Sequence, residues 1–351
     1  MKITVKVNLN VRVGAPSLNA PCYQYIAPGS ILEVDGKLYP GDKYDGIATW
    51  YKDEAGNYYW SGGVEEKTEI IGYPEWMLEL KIPQIWNYSM GKNVGVAVID
   101  TGIDTLNDDL IYDKDNYFVF NEAVSLQDQQ GHGTHCAGLI GARNKIGQVI
   151  GVAPDCNLFV CKIAEGSSLK KSEIIRYADA INWCADQDNI HVISISWGSF
   201  LIDTAIIDKI QTAINYATQR NKVVVCAMGD ASQFNDPGPL YPVSLNNTIG
   251  VGSIPIDNLL YPYINKHLLT STRGANILSY GIGKTVVEKS GTSQSNAIIA
   301  GIVSLIIKKR NFNYTPLEIA GVLSSASTTL VYQGVNIPVL NGDLLLKYFL
   351  S

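Results

Sequence analysis

From residue 91 onward, apolar residues come in short unbroken runs. Val94-Gly95-Val96-Ala97-Val98-Ile99 is apolar on both of its faces, and similar runs recur at 158–163, 191–196, 223–228 and 248–251. A short run without polar alternation reads as a strand buried on both sides. Helical patterns lie between these runs, around 132–142, 172–187, 203–220 and 293–309. Buried strands alternating with helices predict an α/β domain with a doubly wound, mostly parallel sheet.

Residues 1–65 follow another rhythm. Short β-type runs are separated by turn signals at Gly14-Ala15-Pro16, Pro28-Gly29, Asp35-Gly36, Pro40-Gly41, Asp45-Gly46 and Gly56-Asn57. That spacing predicts a small all-β barrel. Seven of the chain's 20 tyrosines fall here (Tyr23, Tyr25, Tyr39, Tyr44, Tyr51, Tyr58, Tyr59), with Trp50 and Trp60 and no phenylalanine. Such aromatics serve either as core and rim of a small barrel or as an exposed contact surface. Residues 66–85, acidic and punctuated by Pro74 and Pro83, read as a linker. The expected division is therefore 1–65, a linker over 66–85, and 86–351.

Composition narrows the function classes. Hydrophobic residues make up 46% and charged residues 17% of the 351, enough apolar material for sizeable cores. A diffuse net charge of −6 argues against general nucleic-acid binding, which needs a basic surface. No apolar run reaches the ~18–20 residues of a membrane span. The six cysteines show no C-x-x-C or Cys/His ligand spacing, and several sit in apolar runs, so they read as buried reduced thiols. The first residues alternate like a strand and carry no signal-peptide pattern. A cytoplasmic chain is the expectation, a secreted mature chain the alternative.

Three motifs carry chemistry. Asp100-Thr101-Gly102-Ile103-Asp104 ends the first buried strand, where open α/β sheets place ligands and catalytic groups. Alone, Asp100 also reads as a turn or helix cap. Gly131-His132-Gly133-Thr134-His135-Cys136 sets an imidazole at the start of a helix. His132 and His135 are spaced as a metal pair would be, without a third ligand nearby. Ser290-Gly291-Thr292-Ser293 opens a long apolar helix, whose N-terminal N–H groups favour negative charge. A serine there also reads as a simple cap.

Together, in the order Asp, His, Ser, these motifs resemble the subtilisin-like serine protease family (subtilases, peptidase S8) over residues 80–345. Gly151-Val152-Ala153-Pro154, Ile193-Ser194-Ile195-Ser196-Trp197-Gly198 and Leu240-Tyr241-Pro242 add to the resemblance. It implies a triad: Ser293 as nucleophile, His132 as its base and Asp100 as the group that orients the imidazole. It also implies that Ser196, Trp197 and Gly198 pair with an extended peptide. Ala227 and Gly229 would line the opposite wall of the pocket for the residue before the cut.

The chain departs from the family pattern in two places. Where the family has an oxyanion-donating Asn, this chain has Asp230. A carboxylate cannot donate, and losing one such donor costs about 10²–10³ in turnover, a magnitude known from this family. A protonated Asp230 would still donate through its O–H. After the nucleophile, Ala297 stands where the family has Pro, which relaxes the helix behind Ser293.

The resemblance implies a structural Ca²⁺ held by Asp109 and Asn144 with carbonyls from 146–149; the chemistry itself needs no cofactor. The family's folding-assisting prodomain is not recognisable in residues 1–85, although Ile70-Ile71-Gly72-Tyr73-Pro74 would suit a latent plug in the cleft. Residues 1–65 resemble the bacterial SH3-like (SH3b) family through Asn10-Val11-Arg12-Val13-Gly14, Ile26-Ala27-Pro28-Gly29-Ser30-Ile31 and Tyr58-Tyr59-Trp60. This implies a cell-wall or peptide ligand. The expected function is a serine endopeptidase acting on protein or peptide substrates. The alternatives are a pseudoprotease acting as a binding module and a peptide ligase or cyclase.

Overall fold

A computed structural model describes residues 2–28, 30–67, 73–145, 147–166, 173–200, 203–230, 239–256 and 266–351. The chain divides into two compact units, Met1–Tyr73 and Pro74–Ser351.

The first unit holds eight strands: β1 (Lys2–Val5), β2 (Leu9–Val13), β3 (Cys22–Ile26), β4 (Ile31–Glu33), β5 (Tyr39–Tyr44), β6 (Ile47–Lys52), β7 (Asn57–Trp60) and β8 (Val64–Lys67). They form two antiparallel sheets, β4-β1-β8 and β3-β2-β7-β6-β5. Alternation explains the core: Ile3, Val5, Leu9, Val11, Tyr51, Tyr59 and Val64 are buried together. Tyr59 donates its hydroxyl to Asp53 at 2.7 Å, and Trp50 donates its indole N–H to the Asp42 carbonyl at 3.0 Å. Tyr25 and Tyr44 stay exposed.

The second unit opens with α1 (Glu75–Glu79) and α2 (Ile82–Ile85), short helices in the stretch expected as a linker. They belong here because Trp76, Met77, Ile82 and Ile85 are buried. The stretch proposed as a plug falls mostly on residues 68–72, outside the described residues. The remaining elements are β9 (Gly95–Asp100), β10 (Phe118–Val119), α3 (His132–Gly141), β11 (Asn157–Lys162), α4 (Arg176–Asp186), β12 (Val192–Ile195), α5 (Thr204–Gln219), β13 (Val223–Ala227), β14 (Thr248–Ser253), β15 (Leu268–Thr272), β16 (Ile277–Tyr280), β17 (Val286–Lys289), α6 (Thr292–Lys309), α7 (Pro316–Ser325), β18 (Ser327–Tyr332), β19 (Val335–Leu340) and α8 (Gly342–Leu350).

Seven of these strands form one parallel sheet in the order β10-β11-β9-β12-β13-β14-β15. Ala97, Ile99, Ile193, Ile195, Val224 and Cys226 face α4 and α5 through one buried cluster. The pleat turns the alternate residues to the other face, where Ser194 meets Asn296 of α6. That central helix is buried on all sides over most of its length, which its nearly unbroken apolar sequence anticipates. In α5, Ile210, Ala213, Ile214 and Ala217 recur at helical spacing on the buried face, and Asp203 caps the start by accepting from Ala205 N–H. From β9 the chain runs to β11 on one side, while β12 flanks it on the other. The crevice at such a switch point, at the carboxyl ends of the strands, is where open α/β sheets bind ligands.

All six cysteines are thiols; five are buried and Cys22 is half-buried. Among the described residues, no helix is long and apolar enough to cross a membrane.

Candidate active site

Asp100 is the last residue of β9, and its side chain is 1% exposed. His132 is the first residue of α3, on the other side of the crevice mouth. Two features bring them together. Gly131 closes the turn before the helix at φ 78°, a left-handed conformation suited to glycine. Gly133 lets the helix approach the strand end: a Cβ there would run into the Gly102 carbonyl and lie 3.1 Å from the Asp100 Cβ. His132 Nδ1 then lies 2.7 and 2.9 Å from the two Asp100 oxygens. A carboxylate only accepts, so Nδ1 carries the proton and Nε2 is left as the base. Burial lowers the His132 pKa, but the Asp100 charge and hydrogen bond outweigh it, and the net shift is upward from 6.5.

Asp128, which the sequence reading passed over, fixes this loop. One of its oxygens accepts from Gln130 and Gly131 N–H at 2.9 and 2.8 Å; the other accepts from Thr134 N–H and O–H at 2.9 and 2.7 Å. Burial alone would raise its pKa; these bonds hold it below the usual carboxylate range. Its signal was its place, a few residues before the helix start.

Ser293 is the second residue of α6. Its hydroxyl donates to the Ser196 carbonyl at 2.8 Å, and Ser196 Oγ donates to the Ser293 carbonyl at 3.1 Å. Among the described residues no hydrogen bond joins Ser293 to His132. Both nevertheless line one cavity of about 150 Å³ with Gln130, Ser196 and Trp197. The Trp197 ring lies 6.2 Å from the imidazole at an interplanar angle of 51°. Asn296, one turn into α6, donates to Ser194 Oγ and Ser196 Oγ at 3.0 and 3.1 Å and so ties the helix that carries Ser293 to the β12 strand and the residue after it. The polar run Thr292–Asn296 on an otherwise apolar helix was the sequence signal for it.

Gly198 follows this segment, and Ala227 and Gly229 lie at the end of β13. Gly229 donates its N–H to Thr292 Oγ1 at 3.1 Å. Asp230 is half-buried, and its Oδ1 accepts from the N–H of Thr292, the residue before Ser293, at 3.1 Å. Burial pushes its pKa up to about 6, against the lowering effect of the Thr292 bonds.

The His132/His135 spacing does not make a metal pair. His135 Nε2 lies 3.1 and 3.2 Å from the Ile277 and Val287 carbonyls, so it carries a proton and donates. Burial, helped by the Lys289 charge, lowers its pKa to about 4. Among the described residues, one group gathers three metal-ligating side chains: Asp100, His132 and the buried thiol of Cys136.

The Asp109/Asn144 pair does not fit a Ca²⁺ site. Asp109 accepts from Lys145 N–H at 2.6 Å, Asn144 N–H at 3.1 Å and the Tyr280 hydroxyl at 2.7 Å. The Lys145 ammonium donates to the neighbouring Asp108 carbonyl at 3.2 Å. Calcium needs six to eight oxygen ligands; here N–H and O–H donors occupy the carboxylate, and an ammonium stands nearby. Ile146 lies outside the described residues.

Comparison with known proteins gives the likeness of the chain as a whole. The profile of the subtilase family, peptidase S8, matches residues 91–341. The chain is 30% identical over 252 residues to the major intracellular serine protease of Bacillus subtilis (strain 168), covering 69% of this chain and 77% of that protein. It is 32% identical over 262 residues to subtilisin NAT of Bacillus subtilis subsp. natto, covering 73% of this chain and 66% of the relative. A crystal structure of MycP1 with the N-terminal propeptide removed superposes with a TM-score of 0.66 at 22% identity, over 78% of this chain and 98% of that one.

Proposed function

Because the chain belongs to the subtilase family, we propose that it is a serine endopeptidase working through an acyl-enzyme on Ser293. The observation that carries this reading is the hydrogen bond of His132 to the buried Asp100, with the imidazole lining one small cavity together with Ser293. The Ser293 hydroxyl first leaves the Ser196 carbonyl by rotating about its side-chain bond to a second staggered position near His132 Nε2. Ser293 Oγ then attacks the scissile carbonyl carbon while its proton passes to Nε2. Collapse of the tetrahedral intermediate breaks the C–N bond, and the imidazolium gives the proton to the leaving amine. Water, deprotonated by the same imidazole, releases the acid and restores Ser293. Asp100 keeps the Nδ1 proton in place throughout.

Asp230 stands where the developing oxyanion needs a donor. As a carboxylate it would repel that charge; protonated, it would donate. A raised pKa supports the second role at mildly acidic pH. The same residue favours a second reading, a pseudoprotease that holds peptides in the cleft without turnover. The Ser293 hydroxyl resting on Ser196 points the same way.

A fluorophosphonate decides between them, since only an activated Ser293 is labelled. Labelling together with peptide hydrolysis supports the endopeptidase. Labelling absent from the chain, with or without residues 1–73, overturns it. A ligated product in the presence of an added amine would instead indicate acyl transfer to nitrogen.

Subtilases commonly bind structural calcium. The Asp109 loop is not proposed as such a site, because its carboxylate is already engaged by three donors. For the first unit we propose an SH3-like targeting module with a peptide or cell-wall ligand. A cavity of about 560 Å³ lined by residues such as Leu9, Arg12, Tyr44, Trp50 and Trp60 supports this. Retention of the isolated first unit on peptidoglycan, lost on Trp60→Ala, is the expected result; no retention would remove the cell-wall ligand.

A further inference from the structure

We infer that Leu240 sets the cleavage specificity by filling the floor of the pocket for the side chain before the cut, so that the chain cleaves after small residues such as alanine and glycine. The inference rests on the endopeptidase reading and on the two walls proposed for that pocket, Ser196–Gly198 and Ala227–Gly229.

Both walls end in a glycine, and both glycines face one side chain. A Cβ built on Gly198 would lie 2.8, 2.9 and 3.0 Å from the Cγ, Cδ1 and Cδ2 of Leu240. A Cβ built on Gly229 would lie 2.7 Å from Leu240 Cδ2. The isobutyl group of Leu240 thus lies directly against both glycines and occupies the space between the walls. Gly229 is also left-handed, at φ 83°, a conformation suited to glycine.

Leu240 is not free to step aside. It is 4% exposed and belongs to the cluster that contains Cys226, Met228, Val243 and Leu245. The next residue is pinned: Tyr241 and Ser199 exchange N–H···O bonds, each of 2.9 Å, directly after the Gly198 wall. A long or aromatic side chain entering the pocket therefore meets methyl groups backed by packed core. A methyl group or a hydrogen stops short of them. Leu240 is apolar, so it offers no partner to a charged side chain.

A single unaccommodated methylene changes kcat/KM by about 10–200-fold in pockets of this kind. Peptides of one sequence that vary only at the residue before the cut, with products weighed by mass spectrometry, test the inference. The wild-type chain should cleave after Ala at least about 50-fold faster than after Phe. Leu240→Ala and Leu240→Gly should shift that ratio toward Phe by about tenfold or more. Thermal melts show whether each variant folds; Leu240→Val is the milder substitute if they do not, and the wild-type preference stands independently of all three.

Wild-type cleavage mainly after Phe, Tyr or Leu overturns the inference but leaves the endopeptidase intact. So does an unchanged profile in a folded variant. Absence of both turnover and fluorophosphonate labelling is the separate failure of the enzyme reading. Product peptides ending in Ala or Phe, titrated calorimetrically, then carry the same comparison: tighter binding of Phe overturns the pocket assignment.

Discussion

Ser196 and Ser293 hold each other by two reciprocal hydrogen bonds, the Ser293 hydroxyl on the Ser196 carbonyl at 2.8 Å and the Ser196 hydroxyl on the Ser293 carbonyl at 3.1 Å. The carbonyl that an added peptide strand would use as an acceptor is thus the one that holds the Ser293 hydroxyl. A substrate N–H taking that carbonyl would release Ser293 toward His132. A peptidyl phosphonate with an N–H before its phosphorus should label Ser293 about tenfold faster than its N-methyl counterpart. That ratio corresponds to about 1.4 kcal/mol, one net hydrogen bond. Equal labelling rates would mean that the hydroxyl leaves the carbonyl unaided.

Asp230 and His132 make opposite demands on pH. The donor form of Asp230 exists below its pKa of about 6. The neutral base form of His132 exists above a pKa itself raised from 6.5. The form with both groups correct is therefore a minority at every pH, and activity should trace a low, narrow bell. Asp230→Asn keeps the donor and removes its titration. It should raise kcat about 10²-fold near pH 8 and leave a single limb that rises with pH. Stability gives an independent check: a carboxyl raised in the fold costs stability as pH climbs from about 4 to 6, and Asp230→Asn should flatten that slope. An unchanged pH profile of kcat would remove Asp230 from the oxyanion position.

Much of this site was legible in the sequence because its chemistry sits at element ends. The buried run before Asp100, the helix start at His132 and the small-residue opening of the helix at Ser293 each announce both an element and a reactive group. Residues acting through geometry were not legible. Asp128 looks like any loop aspartate until the chain folds its carboxylate back over four donors. Leu240 is an ordinary core leucine until two glycines face it. The fold shows the same division. The apolar strands β9, β11, β12, β13 and β14 could be read directly. β15, Leu-Leu-Thr-Ser-Thr, could not, because its buried Thr270, Ser271 and Thr272 break the apolar pattern while the sheet satisfies their backbone. The Asp109 loop divides in the same way: its residue types suit a cation, but folding aims the Asn144 and Lys145 N–H groups at the Asp109 carboxylate, which no residue type announces.

Asp128 should be the positioning residue whose loss is felt most at His132. Asp128→Asn replaces a carboxylate accepting four hydrogen bonds with an amide that has one acceptor oxygen. A loss of about 2–4 kcal/mol in stability is expected. The sign with pH follows from its lowered pKa: the stabilisation is present above the unfolded value of about 3.9 and disappears as pH falls below it. In a folded Asp128→Asn chain kcat should fall more than KM rises, because the imidazole is displaced rather than the peptide strand. Urea melts and steady-state kinetics on one peptide measure both. A variant as stable and as active as wild type would show that the loop holds its shape without this carboxylate.

The loop at Asp109 should behave as a hydrogen-bonded corner. Its carboxylate takes two backbone N–H groups and the buried Tyr280 hydroxyl, which joins the β16–β17 hairpin to the loop after β9. A hydrogen bond to a charged acceptor contributes about 1.5–3 kcal/mol, and removing the donor leaves part of the carboxylate unpaired in a dry site. Tyr280→Phe should therefore lower the unfolding midpoint by several degrees, whereas a chelator should leave the wild-type midpoint where it is. Calorimetric scans with and without chelator, and with calcium added back, make the comparison. A drop on chelation that calcium restores, together with a Tyr280→Phe chain as stable as wild type, would return the corner to the role of a metal site.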